Sequence, residues 1–165
     1  MTRLVLVMCS ILAMTFPLRA DQPNVRVEPP KLQGPRQLSD QTQTAVVRDY
    51  LEAWQSVGEA LQQNRADLLN RDFVGTAKDR LSDTIHDQVT MGISTRYLDL
   101  SHDLQIVFYS PEGLSVQLVD NVEYEVQVLD HGKTQATQKM RARYVVVMTP
   151  AEVRWRVRIF QAETE

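Results

Sequence analysis

Cysteine is almost missing from this chain. The single one, Cys9, falls inside the apolar run that opens the sequence. A domain built from the residues after that run has no disulfides, no thiolate nucleophile and no cysteine metal site, so its stability must come from its core. Histidine is scarce too. His86, His102 and His131 lie in separate segments without ligand spacing, and no metal or other cofactor is expected. The few glycines form no phosphate-cradling loop, and no nucleophile motif stands out. Long hydrophobic runs are absent as well: Leu4–Phe16 is uncharged but shorter than the roughly 20 apolar residues that span a bilayer. An excess of positive charge is also lacking. The formal charge is −3, and it falls to about −5 once Arg3 and Arg19 are removed with a leader, which argues against nucleic acid as a partner.

What is present is an ordered series of patterns. Met1–Ala20, with Arg3 ahead of the apolar run, has the form of a secretory signal peptide, and cleavage is expected after Ala20 despite the bulky Leu18. The chain is therefore expected to be secreted or periplasmic, with no stable membrane span after cleavage. Retention of the leader would instead give a membrane-tethered assembly subunit. Residues 21–38 hold Pro23, Pro29, Pro30, Gly34 and Pro35 and read as a flexible spacer. Residues 39–165 are long enough for one self-sufficient domain.

Ser39 is a suitable N-cap, and Asp40 suits the positive end of a helix dipole. From there Val46, Tyr50, Trp54, Val57 and Leu61 recur at helical spacing, with Arg48, Asp49, Glu52, Gln55 and Glu59 expected on a solvated face. A second helix is expected to run from Leu69 through Phe73, Ala77, Leu81 and Ile85 to Val89. Asp72 should lie on its solvated side, Gly75 weakens its middle, and Gly92 ends it.

Beyond Gly92 the apolar period changes to two. Four strands are expected: one around Leu104–Tyr109, a long one from Leu114 to Val128, a return strand over Gln135–Met148, and a last one after Pro150. The last strand should face Val153, Trp155, Val157 and Ile159 inward, and Arg154, Arg156, Arg158 and Phe160 outward. Asp130-His131-Gly132-Lys133 supplies the hairpin, and a three-residue loop there would match the inner parities and bring Glu123 and Glu125 beside Lys139 and Arg141. Asp120 breaks the apolar parity between Leu118 and Val122. A carboxylate there is costly unless it is hydrogen-bonded, sits at a bulge, or has a raised pKa that suits a general base.

Helices first, then a meander of long strands ending in Val153-Arg154-Trp155-Arg156-Val157, resembles the NTF2-like superfamily, the cystatin-like α+β cone with ketosteroid isomerase-like and SnoaL-like members. The resemblance implies an α+β fold in which N-terminal helices pack on a curved, mainly antiparallel sheet of four or more strands. It also implies an apolar pocket, here to be lined by Trp54, Tyr124, Tyr144 and Trp155. Catalytic relatives use an Asp or His base, often with a Tyr; the candidates at such positions are Asp120, Tyr124, Tyr144, His102 and Asp103. No complete catalytic set is reproduced. The expectation is an exported non-catalytic module for a small apolar ligand or an envelope protein, forming a homodimer through Val119, Val145, Val147 and Phe160 on the outer sheet face. The alternative is an isomerase, dehydratase or cyclase with Asp120 as base.

Overall fold

Ser39 starts the first helix as its chemistry dictates. Its backbone is extended, at φ −75° and ψ 151°, and its Oγ accepts a hydrogen bond from the Thr42 N–H at 3.2 Å. The computed structural model of the chain describes residues 24–34 and 36–163, so the leader lies outside the described residues. Helix α1 runs Asp40–Gln63 and ends at Asn64, which takes the left-handed conformation. The Asn64 side-chain amide then donates to the Ile93 carbonyl, tying the end of the helix to the start of the sheet. Val46, Tyr50, Ala53, Trp54, Val57 and Leu61 are buried, as their spacing predicts.

The second helical stretch is two elements rather than one. A short 3₁₀ helix, Ala66–Arg71, is followed by a break, and α2 begins only at Gly75 and runs to Met91. In the break Phe73 bridges Val157: the Val157 N–H donates to the Asp72 carbonyl, and the Val74 N–H donates to the Val157 carbonyl. Gly75 restarts the helix at φ +54°, a conformation costly for any other residue. Asp49 and Asp72, both expected on solvated faces, are buried, because each accepts hydrogen bonds where the last strand meets the helices.

Five strands form one sheet in sequence order: β1 Asn24–Val27, β2 Ile93–Tyr109, β3 Val116–Asp130, β4 Lys133–Pro150 and β5 Trp155–Glu163. β1 is an addition to the expected four. The segment expected to be a flexible spacer instead lies along β2, parallel to Ser101–Leu104. The Glu28, Lys31 and Gln33 N–H groups donate to carbonyls of Leu104, Ile106 and Val107. Pro29 and Pro30, which lack an N–H, are tolerated because this segment is at a sheet edge. β2 begins eleven residues before Leu104, immediately after Gly92, so His102 and Asp103 sit within a strand rather than at its start.

The long hairpin brings Glu123 opposite Arg141 and Glu125 opposite Lys139, as expected, by a different route. Its loop is only His131-Gly132, and a bulge beyond Val128 supplies the extra residue that matches the two parities. A second bulge changes β5. Val147 faces Ile159 but Met148 faces Val157, so Arg158 is the extra residue and side-chain parity reverses across it. Val157 is fully buried, while Phe160 turns inward against Trp54 and Phe73, and Ile159 turns outward. Val153 precedes the strand and is exposed. Phe160 is thus core, not part of the outer patch expected to form a dimer.

Candidate functional site

Asp120 lies in an unbroken ladder, opposite Leu104 on one side and Tyr144 on the other, so it marks no bulge. Its side chain is fully buried. The Tyr50 hydroxyl, from α1, donates to Asp120 Oδ2 at 2.7 Å, and Nδ1 of His102, from β2, lies 2.8 Å from the same oxygen. The Trp54 indole N–H donates in turn to the Tyr50 oxygen at 2.7 Å. Asp120 Oδ1 has no partner among the described residues. Burial, and next the neighbouring Asp120 carboxylate, push the Tyr50 phenol well above its ordinary pKa, so it stays protonated and donating.

Outside this chain of hydrogen bonds lies a cavity of about 220 Å³ between the two helices and the sheet. Trp54, Tyr97, Tyr144 and Phe160 form its aromatic wall, Val57, Leu61 and Leu81 its aliphatic wall, and Arg80 and Thr84 its polar margin. Trp54 meets Tyr144 and Phe160 edge to face, with centroids 5.2 and 5.1 Å away, and Tyr144 stacks on Phe160 at 4.7 Å. Burial, then the neighbouring Tyr124 phenol, push the Tyr97 pKa up to about 12 and raise that of Tyr144 as well. Both therefore remain protonated at physiological pH.

The expected site residues divide between these places. His102 and Asp120 come together at the base of the aromatic cluster, and neither lines the cavity. Tyr144 and Trp54 do line it. Tyr124 is nearly buried behind the wall, 5.1 Å from the Tyr97 ring. Asp103 has the opposite strand parity to His102 and pairs in register with Arg26 and Asn121, away from the dyad. Trp155, expected in the pocket, is elsewhere. Its backbone N–H donates to Asp49 and its ring approaches Tyr109, because it opposes Pro150 at the far end of β4.

Tyr50, Tyr97, Phe160 and Arg80 were not among the expected site residues. Tyr50 was legible as core but not as a donor to a carboxylate seventy residues away. Tyr97 belongs to the early half of β2, and Phe160 is turned inward by the bulge at Arg158. A larger groove, about 750 Å³, is lined by four of the expected site residues, His102, Asp103, Tyr124 and Tyr144, together with the charged Arg26, Glu123, Arg141, Arg143 and Glu163. Its arginines are already matched, Arg26 by Glu28, Arg141 by Glu123 and Arg143 by Glu163, which leaves little net field for a ligand. Among the described residues no group of three or more metal-ligating side chains converges, and no helix is long and apolar enough to cross a membrane.

No family model and no curated protein sequence matches the chain. Among solved structures it is similar to the intermembrane-space region of the chloroplast protein ARC6, with a TM-score of 0.59 at 14% identity, over 79% of this chain and 100% of that one. It also overlaps a protein named as a scytalone dehydratase from Novosphingobium aromaticivorans DSM 12444, with a TM-score of 0.47 at 13% identity, over 76% and 89% of the two chains. Its helices packed on a long antiparallel meander make an α+β fold shared with the ARC6 region, of the architecture that the resemblance to the NTF2-like cone implies.

Proposed function

We propose that the chain is an exported, non-catalytic NTF2-like module that binds a small apolar group in the cavity between its helices and its sheet. The observation that carries this reading is the wall itself. It is aromatic and aliphatic, and it contains no carboxylate. A general base has to come within hydrogen-bond reach of the proton it removes. Asp120 is instead sealed behind the wall, its Oδ2 engaged by Tyr50 and His102. That supports binding over an isomerase, dehydratase or cyclase reaction. The volume bounds the occupant: 220 Å³ is below the roughly 300–1,000 Å³ of pockets for drug-sized ligands, yet above the ~150 Å³ apolar cavity that takes benzene. A single ring with a small substituent fits.

Trp54 lies in the wall and Trp155 does not, so fluorescence can test the reading directly. In a Trp155→Phe variant, benzyl alcohol should shift or quench the remaining emission in a saturable way. Thr84→Phe, placed at the mouth, should block that response. An unsaturable response in the unblocked protein would overturn the reading. Export is supported by the leader, and a homodimer by the apolar Val119, Val145 and Val147 on the outer face. Sedimentation that shows only monomer at high micromolar concentration would remove the dimer.

A further inference from the structure

We infer that the cavity selects small aromatic monocarboxylates, holding the ring among Trp54, Tyr97, Tyr144 and Phe160 and the carboxylate at Arg80. The inference rests on the cavity being the binding site, as proposed above. It adds a charge and a chemical class.

Arg80 is the one cation in the lining, and no acid accompanies it. Seven of the twelve arginines among the described residues have a carboxylate partner: Arg26 has Glu28, Arg48 has Asp49, Arg65 has Asp67, Arg71 and Arg154 have Asp72, Arg141 has Glu123 and Arg143 has Glu163. Arg80 has no ion-pair partner within 4.0 Å among the described residues, although Asp79 and Asp83 are close in sequence. An arginine can lay its aliphatic stem along an apolar wall while its head stays at the water margin. The planar fork it presents there matches a carboxylate with two parallel hydrogen bonds.

The other polar groups of the wall point the same way. Tyr97 and Tyr144 line the wall with phenols rather than acids, and Thr84 spends its hydroxyl hydrogen on the Arg80 carbonyl. With a cation but no anionic acceptor, the wall favours an anion and disfavours an amine. The edge-to-face rings around Trp54 suit a further aromatic ring, whose edge and face would meet theirs. The volume leaves space for one ring and its carboxylate, not for a fused ring system bearing several substituents.

The probes are benzoate, benzyl alcohol and benzylammonium, titrated against the intact protein by ligand-observed NMR and by fluorescence of the Trp155→Phe variant. Benzoate should bind at least tenfold more tightly than benzyl alcohol, and benzylammonium most weakly. Raising the salt concentration should narrow the gap, because Arg80 is at the exposed margin. Arg80→Gln should reduce the benzoate preference to within twofold, and Arg80→Lys should restore part of it, with far-UV circular dichroism confirming the fold of both. If benzyl alcohol binds and benzoate binds no better, the carboxylate inference is overturned while the cavity stands. If none of the three binds, the cavity reading falls and takes the inference with it.

Discussion

Tyr50 on α1 donates its phenolic hydrogen to Oδ2 of Asp120 on β3, and this bond fastens the long helix to the middle of the sheet. The same oxygen receives Nδ1 of His102, so a single carboxylate answers two donors in the core. Replacing Asp120 with alanine strands both. The expected loss is about 3 kcal/mol or more, read from urea unfolding. Asp120→Asn keeps one carbonyl acceptor and should cost less, about 1–2 kcal/mol. Because the carboxyl does not line the cavity, Asp120→Asn should leave benzyl alcohol affinity within twofold. A folded Asp120→Asn protein that no longer binds would return Asp120 to the site.

Alkaline stability should report the buried phenols. Tyr50, Tyr97 and Tyr144 all have pKa values raised above the ordinary value of 10.0, chiefly by burial. The folded state then holds the phenolic proton more tightly than the unfolded chain. That contribution is complete below pH 10 and is lost as pH rises from 10 towards about 12, where Tyr97 titrates in the folded protein. Unfolding free energy measured across this window should fall, and Tyr97→Phe should flatten the fall. A Tyr97→Phe protein with an unchanged slope would show that the Tyr97 phenol is solvated.

The parts of the fold that were legible in the sequence are those set by local rules. The cap at Ser39, the buried stripe of α1, the stop at Gly92 and the pairing of Glu123 with Arg141 each follow from short-range chemistry or from period. What stayed hidden depends on single-residue insertions and on distant partners. The bulge at Arg158 exchanges the faces of Ile159 and Phe160, and nothing in alternating Arg and apolar residues marks where the alternation slips. β1 has only Asn24–Val27 to announce it, among prolines that fit a tether as well as an edge strand. Asp49 and Asp72 look solvated by spacing because their donors come from a strand a hundred or eighty residues away. For the site, the Asp120 anomaly was visible from parity, but the closed chain Trp54–Tyr50–Asp120–His102 that explains it spans three elements.

The polar junction between α1 and β5 makes a second stability prediction. Asp72 is buried and accepts from the Ser56 hydroxyl, from Arg71 and from Arg154, which also reaches Glu52. Removing its carboxylate leaves a partly buried guanidinium without its main partner. Asp72→Ala should therefore cost about 2–3 kcal/mol, after discounting for the solvent that reaches Arg71. Asp67→Ala, which breaks the exposed pair with Arg65, should leave the urea midpoint where it is. Equal effects from the two changes would mean that the junction is open to water.

The hairpin loop offers a change of opposite sign. His131 and Gly132 both take positive φ, at 48° and 76°, as a two-residue turn of the twisted hairpin type requires. Gly132→Ala puts a β-carbon into that conformation and should cost about 1 kcal/mol, although nothing lies within 4 Å to clash with it. His131→Asn brings a residue that tolerates the left-handed region better, and should stabilise by ~0.5 kcal/mol. It gives up the contact between His131 and Asp130, which is exposed and worth little. Both effects should appear in the urea midpoint with unchanged slope, since neither alters the surface buried on folding. The turn fixes where the strands reverse, while the bulge beyond Val128 fixes which faces meet. Deleting Gln135 should therefore do what neither turn substitution does: shift β4 by one residue and turn Tyr144 away from the cavity wall, abolishing binding of benzyl alcohol.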